Sequence, residues 1–225
     1  MVADGRTGGC SYDDFDDLKE AMEPHKGNVP GPMTMVSADV IVSLEQIAFA
    51  KAKGCDAVVL SLDVLDVDTV REFGDVARDK VGIDVVVQCG SEAQVDEAVG
   101  IGSDIIMIKL PESTCDVEDV VGIKERCIDA KVRDDYKPTT IAYVHPGKSE
   151  DSDTSPTTVS WTYRSAGFNA VYASEALYEN GQDECEHAGA VVKSMRSKSS
   201  VKFASGRVKS GKGEGAREYL GEISI

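Results

Sequence analysis

The sequence predicts an α/β fold with a parallel sheet, and three observations carry the prediction. The segments GCDAVVL (54–60), GSDIIMI (102–108) and GFNAVYA (167–173) share one pattern: a Gly, then Asp or Asn two residues on, then a short apolar run. Ahead of each Gly lies a stretch of helical period, with Leu44, Ile47 and Ala48 before the first, Val95, Ala98 and Val99 before the second, and Val159 and Tyr163 before the third. Two more apolar runs follow helical stretches: GIDVVVQC (82–89) after Val70, Phe73 and Ala77, and TTIAYV (139–144) after 117–130. Strands that alternate with helices make a parallel sheet, either a barrel or an open doubly wound sheet.

Taken in order, TMVSADVIV (34–42) reads as the first strand, and the five apolar runs above follow it. At each repeated turn a Gly ends the helix in the left-handed conformation, the short polar side chain caps the turn, and a strand buried on both faces follows. No G-x-G-x-x-G follows a strand, which removes the best support for a dinucleotide-binding open sheet. The loop 147–158, GKSEDSDTSPTT, is polar and long for a βα connection, and reads as a tolerated insertion. From residue 196 Ser, Gly and Lys dominate, and 196–217 holds seven basic residues against one acid, a local charge of +6. That stretch reads as a flexible or partner-ordered tail, giving a (β/α) body over 1–195 and a basic tail over 196–225. Its SGKGEG lacks the complete spacing of a phosphate loop.

Forty acidic residues against 24 basic ones leave a net charge of −16, which repels phosphate backbones and anionic headgroups. Nucleic acid and membrane are thereby excluded as expected partners. No apolar run reaches the roughly 18 residues of a membrane span, and the N-terminal residues do not form a secretory signal, so a soluble chain is expected. The six cysteines are scattered without a C-x-x-C pair, which fits a reducing compartment, the cytoplasm or a plastid stroma. Cys185 and His187 form a C-x-H pair, but two ligands do not make a zinc site, and nothing in the sequence asks for a cofactor.

Specific segments resemble a known family. ADVIVSLEQIAFAKAKGCDAVVLSLDVL (38–65) is similar to the third strand, helix and fourth strand of indole-3-glycerol phosphate synthase, and GIDVVVQCGSEAQVDEAVGIGSDIIMIK (82–109) to its next unit. GGCSYDDFDDLKEA resembles the segment after that family's second strand, so the resemblance runs from about residue 8 to 180. It implies a (β/α) barrel of the TIM type that lacks its first βα unit, with its site at the C-terminal ends of the strands. It also implies a reaction that closes an indole ring from an anilino-sugar phosphate with loss of carbon dioxide and water, using a lysine acid, glutamates and a phosphate cradle.

Carried over residue by residue, most of that chemistry is replaced. The acid lysine falls at Ala38, beside a matching Asp39; a glutamate falls at Gln88, which cannot carry a proton at neutral pH. An asparagine becomes Lys109, an arginine Pro111, and a glutamate His145, while Gly147 is kept. The phosphate-binding Gly-Ser appears as Ser174 and Glu175, and the Glu175 carboxylate disfavours a phosphorylated ligand. Asp39, Gly147 and Ser174 are the remaining candidates for substrate binding, and Lys109 with His145 the candidate acid–base pair. Cys89 reads as a small apolar filler rather than a nucleophile. Two functions are expected on these grounds. The first is a catalytically degenerate, barrel-derived subunit that joins protein partners, which could supply strands or cover exposed edges. The second is a lyase of the family's type, or a barrel enzyme acting on another phosphorylated molecule.

Overall fold

The computed structural model describes residues 12–25, 34–145 and 155–173, with residues 192 and 195. The elements are α1 (Tyr12–Met22), β1 (Val36–Ser37), α2 (Leu44–Ala52), β2 (Ala57–Ser61), α3 (Val67–Val76), β3 (Asp84–Cys89), α4 (Glu92–Gly100), β4 (Ile105–Ile108), α5 (Val117–Ile123), β5 (Thr139–Val144), α6 (Pro156–Ser165) and β6 (Ala170–Ala173). Two compact units divide them: Met1–Leu110 with Gly122–Thr140, and Pro111–Val121 with Ile141–Ile225.

In the first unit the strands pair in parallel in chain order. Val36 stands opposite Ala57, Ser61 opposite Gln88, and Gln88 opposite Met107. No strand is skipped, so the reversal of order that marks a doubly wound sheet does not occur among these four. The apolar runs behave as the sequence predicts: Val58, Leu60, Ile106 and Ile108 are fully buried, as are Ile47 of α2 and Val95 of α4. In the second unit β5 pairs with β6 in parallel, Tyr143 opposite Tyr172, while Tyr163 of α6 packs edge-on to Phe168.

The glycine turns hold as predicted. Gly54, Gly102 and Gly167 all have positive φ, and Gly82 is a fourth case. The partnering of the polar residue differs from expectation. The Asp56 carboxylate accepts the Met35 backbone N–H at 2.8 Å, so it ties the β2 turn to the chain beside it, and Asp104 reaches Arg78 at 3.0 Å. Neither side chain closes its own turn.

The first strand is shorter than predicted, two residues in place of 34–42. Gln46 explains the difference, since its side chain accepts the N–H groups of Val42 (2.7 Å) and Ser43 (3.0 Å) and donates to the Val40 carbonyl (3.0 Å). Backbone groups bound in this way are withdrawn from a ladder, and Val40 and Val42 stand exposed. The predicted helix 117–130 is present but widens into a π-helix over Lys124–Ile128, and a second π-helix, Ala77–Val81, extends α3. The loop 147–154 and the tail 196–225 lie outside the described residues. Among the described residues no helix is long and apolar enough to cross a membrane.

Candidate functional site

Parallel strands bring their C-terminal ends to one edge of the sheet, and in the first unit that edge collects Ala38, Asp39, Ser61, Gln88 and Lys109. Side chains alternate along a strand, so the register decides which of them share a face. Ser61 is opposite Gln88 and Gln88 opposite Met107, which puts Lys109, two residues beyond Met107, on the Gln88 face. Continuing the β1 register by one residue brings Ala38 level with Val59 of the same face. The Lys109 N–H donates to the Cys89 carbonyl at 2.9 Å and carries the ladder past the last residue of β4.

Gln88 is half-buried, and its amide donates to the Ser61 hydroxyl at 3.1 Å; the same hydroxyl accepts the Asp63 N–H at 3.2 Å. The Leu62 N–H returns to the Gln88 carbonyl at 3.0 Å. A residue with no counterpart among the sequence candidates, Gln94, fixes this rim. It donates to the Leu62 carbonyl (3.0 Å) and to the Asp63 carboxylate (3.1 Å), and it accepts the Gly90 N–H. A Cβ at Gly90 would lie 2.6 Å from an Asp63 oxygen, so any larger residue there would displace that carboxylate. The signal in the sequence is SEAQ, in which Ser91 caps α4 and places Gln94 in its first turn.

Asp39 is the retained acid, yet its carboxylate accepts the N–H of its neighbour Val40 at 2.8 Å. Cys89 is fully buried, with Sγ 3.5 Å from the Gln94 carbonyl. Burial pushes its thiol far above the ordinary range, and the nearby carboxylates of Asp63 and Glu97 add to the effect. A thiol held protonated is no nucleophile, in agreement with its reading as a filler.

The second unit holds Pro111 and His145. Pro111 is exposed at the start of a 3₁₀ turn, Glu112–Thr114. His145 follows β5 directly, and its ring meets Tyr143 edge-on at 4.8 Å between centroids. Tyr143 in turn stacks on Tyr172 at 5.4 Å, and burial raises the Tyr172 phenol to about 12, with Tyr143 contributing. The two tyrosines were missed in the sequence, although Tyr143 sits two residues before a named candidate, His145, and so on its face of the strand. Gly147, Ser174 and Glu175 lie outside the described residues, as do Cys185 and His187. Among the described residues no group of three or more His, Cys, Asp or Glu side chains could hold a metal ion.

Comparison with known proteins matches residues 13–110 to the family described as indole-3-glycerol phosphate synthase. Residues 13–110 are indole-3-glycerol phosphate synthase-like. The indole-3-glycerol phosphate synthase of Nocardioides sp. is 35% identical over 68 residues, covering 30% of this chain and 26% of that protein. The same enzyme of Nautilia profundicola is 32% identical over 75 residues, covering 33% and 29%. The chain thus spans little more than a quarter of the length of these curated relatives. Among solved structures, 3-hexulose-6-phosphate synthase from Salmonella typhimurium is similar with a TM-score of 0.57 at 18% identity, over 82% of this chain and 80% of that one. A structure described as native KDPGal is similar at 0.51 and 15% identity, over 90% and 100%. At these identities the likeness carries the fold alone, the alternating (β/α) arrangement of barrel enzymes.

Proposed function

We propose that this indole-3-glycerol phosphate synthase-like chain is catalytically degenerate and serves as a structural or interaction subunit of a larger assembly. The observation that supports it is the Gln88–Ser61 pair. Where the family resemblance expects a glutamate, a neutral amide stands, and it is engaged with a neighbouring hydroxyl at 3.1 Å. An amide neither takes nor gives a proton at neutral pH. The methyl group of Ala38 supplies no acid, and the carboxylate of Asp39 is turned onto the local backbone. The positions that should carry the family's acid–base chemistry thus hold an amide and a methyl beside the Ser61 hydroxyl, and Lys109 is the titratable candidate left on that face.

The test uses the full chain with the anilino-sugar phosphate, together with rescue of a tryptophan auxotroph. No turnover and no rescue are expected; activity in either would overturn the reading. Native purification is expected to bring down other chains, and elution as an active monomer would count against the subunit role. The basic segment 196–217 is expected to contribute a contact with an acidic surface, which salt at about 0.5 M weakens by screening. A cytoplasmic or stromal setting fits the unpaired thiols of Cys55, Cys89, Cys115 and Cys127.

A second reading, a barrel enzyme on another phosphorylated molecule, is favoured by His145 and Lys109. Each directly follows a strand, and the imidazole of His145 is oriented by Tyr143. Should turnover of any sugar phosphate be found, K109M and H145N would each lower kcat by at least about 100-fold, the usual size of a general acid–base contribution.

A further inference from the structure

The Ser61–Gln88 pair is unsaturated as a hydrogen-bonding unit. The Gln88 amide donates one N–H to the Ser61 hydroxyl at 3.1 Å, and that oxygen also accepts the Asp63 N–H at 3.2 Å. With both lone pairs of the hydroxyl taken, its own hydrogen points elsewhere, and the second amide N–H of Gln88 has no partner among the described residues. Turned over, the amide would accept the Ser61 O–H and leave both of its N–H groups outside the pair. In either orientation two donor hydrogens remain for a third group.

The register fixes where those donors stand. Ser61, Gln88 and Met107 are level on one face of the sheet, and one step back along it lie Val59 and Val86, 6% and 5% exposed. The pair is thus half-buried beside apolar side chains, where an unmet donor costs more than at an open surface. Lys109, also half-buried, comes next on that face, one strand over. Its ammonium carries three N–H donors, so a partner on one of them leaves others for a ligand. On the β1 side Ala38 offers only a methyl group. The same edge carries two acids, Asp39 on the Val40 N–H and Asp63 on the Gln94 amide. One ammonium beside two carboxylates suits an acceptor with a single negative charge and opposes a phosphate dianion.

We propose that Ser61, Gln88 and Lys109 bind the carboxylate group of a small monocarboxylate, with its short apolar chain on the side of the Ala38 methyl. A carboxylate only accepts hydrogen bonds, offers two oxygens and carries one charge, which matches two neutral donors and one ammonium. The proposal rests on the reading of this chain as catalytically degenerate and deepens it: the face holds an acid that it does not turn over.

The test is a titration of the full-length, isotope-labelled protein at neutral pH, followed by NMR at the Gln88 side-chain amide and the Ala38 methyl. Propionate is the probe and propionamide its neutral counterpart. Saturable shifts at both groups are expected with propionate, and propionamide should bind about threefold or more weakly. K109M should remove that difference. Read at the Ala38 methyl, Q88E, which sets a carboxylate against that of the ligand, should weaken propionate binding by at least about tenfold. Q88M, which keeps the shape of the side chain without its donors, should weaken it by about threefold or more. Absent shifts, equal binding of propionamide, or unchanged binding in either Gln88 variant would each overturn the proposal. Tighter binding of inorganic phosphate than of propionate would overturn the assignment to a single negative charge. Turnover of the anilino-sugar phosphate would overturn the degenerate reading and leave this titration as it stands, so the two fail separately.

Discussion

Lys124 is 6% exposed at its side chain, yet Asp129, its bidentate partner at 2.7 and 2.9 Å, is 45% exposed. Spacing explains how they meet, because five residues separate them and a π-turn brings positions i and i+5 onto one face. The two ends of the pair are therefore unequal. Removing the lysine leaves a carboxylate that water can solvate, whereas removing the aspartate takes one counter-charge from a mostly buried ammonium. D129A is expected to cost about 1–3 kcal/mol, and K124M to be near neutral or stabilising. Urea denaturation of the two variants side by side checks the asymmetry.

At the scale of single elements, helix α4 shows how local sequence signals and tertiary contacts combine. Ser91 in extended conformation accepts the Gln94 N–H, Val95 and Ala98 are fully buried, and the exposed face pairs Glu92 with Arg126 at 2.9 Å. S91A should lower stability by about 0.5–2 kcal/mol through loss of the cap. Because Gln94 also loses the turn that aims it, the variant should speed hydrogen exchange at the Gly90 amide, a readout that loss of a cap alone would not move. The element boundaries were legible where the physics is local: glycines with positive φ end four helices, and the buried apolar runs between them are strands. Legibility failed where a distant or competing partner decides. The residues 40–42 have the composition of a strand, but Gln46 takes their backbone groups. No periodicity marks the π-turns, since one extra residue per turn leaves the apolar spacing on either side intact. In the site the strand-end positions were readable from order and spacing, while the Gln94 clamp and the Tyr143–Tyr172 stack depend on side chains meeting across strands.

For the molecule as a whole, charge sets how stability responds to solvent. Asp66, Glu92 and Asp96 all titrate below the usual carboxylate range: Asp66 because the Thr69 N–H and hydroxyl bind it, Glu92 because of the Arg126 guanidinium, and Asp96 because of the Lys131 ammonium. A group whose folded pKa is depressed adds stability that is complete above its unfolded pKa and disappears as pH falls through the folded one. These three contributions should be fully present above about pH 5 and decline below about pH 4. Thermal melts between pH 7 and pH 3 would show the decline, and D96N should flatten part of it. At neutral pH the net charge of −16 opposes compaction, so raising sodium chloride from low to physiological strength should increase Tm. A fall in Tm over that range would mean that favourable pairs such as Arg78 with Asp104 outweigh the general repulsion.

The two π-helices also bear on how this chain tolerates changes of length. A π-turn contains one residue more than the α-turn it replaces, so Ala77–Val81 and Lys124–Ile128 each absorb a residue within the helix, before the next strand is reached. Deleting one residue inside either segment would let the backbone close to an ordinary α-turn while β3 or β5 kept its register. The surface pair of the second segment would survive as well. With one residue fewer between them, Lys124 and Asp129 would stand four apart on an ordinary α-turn, which again brings them onto one face.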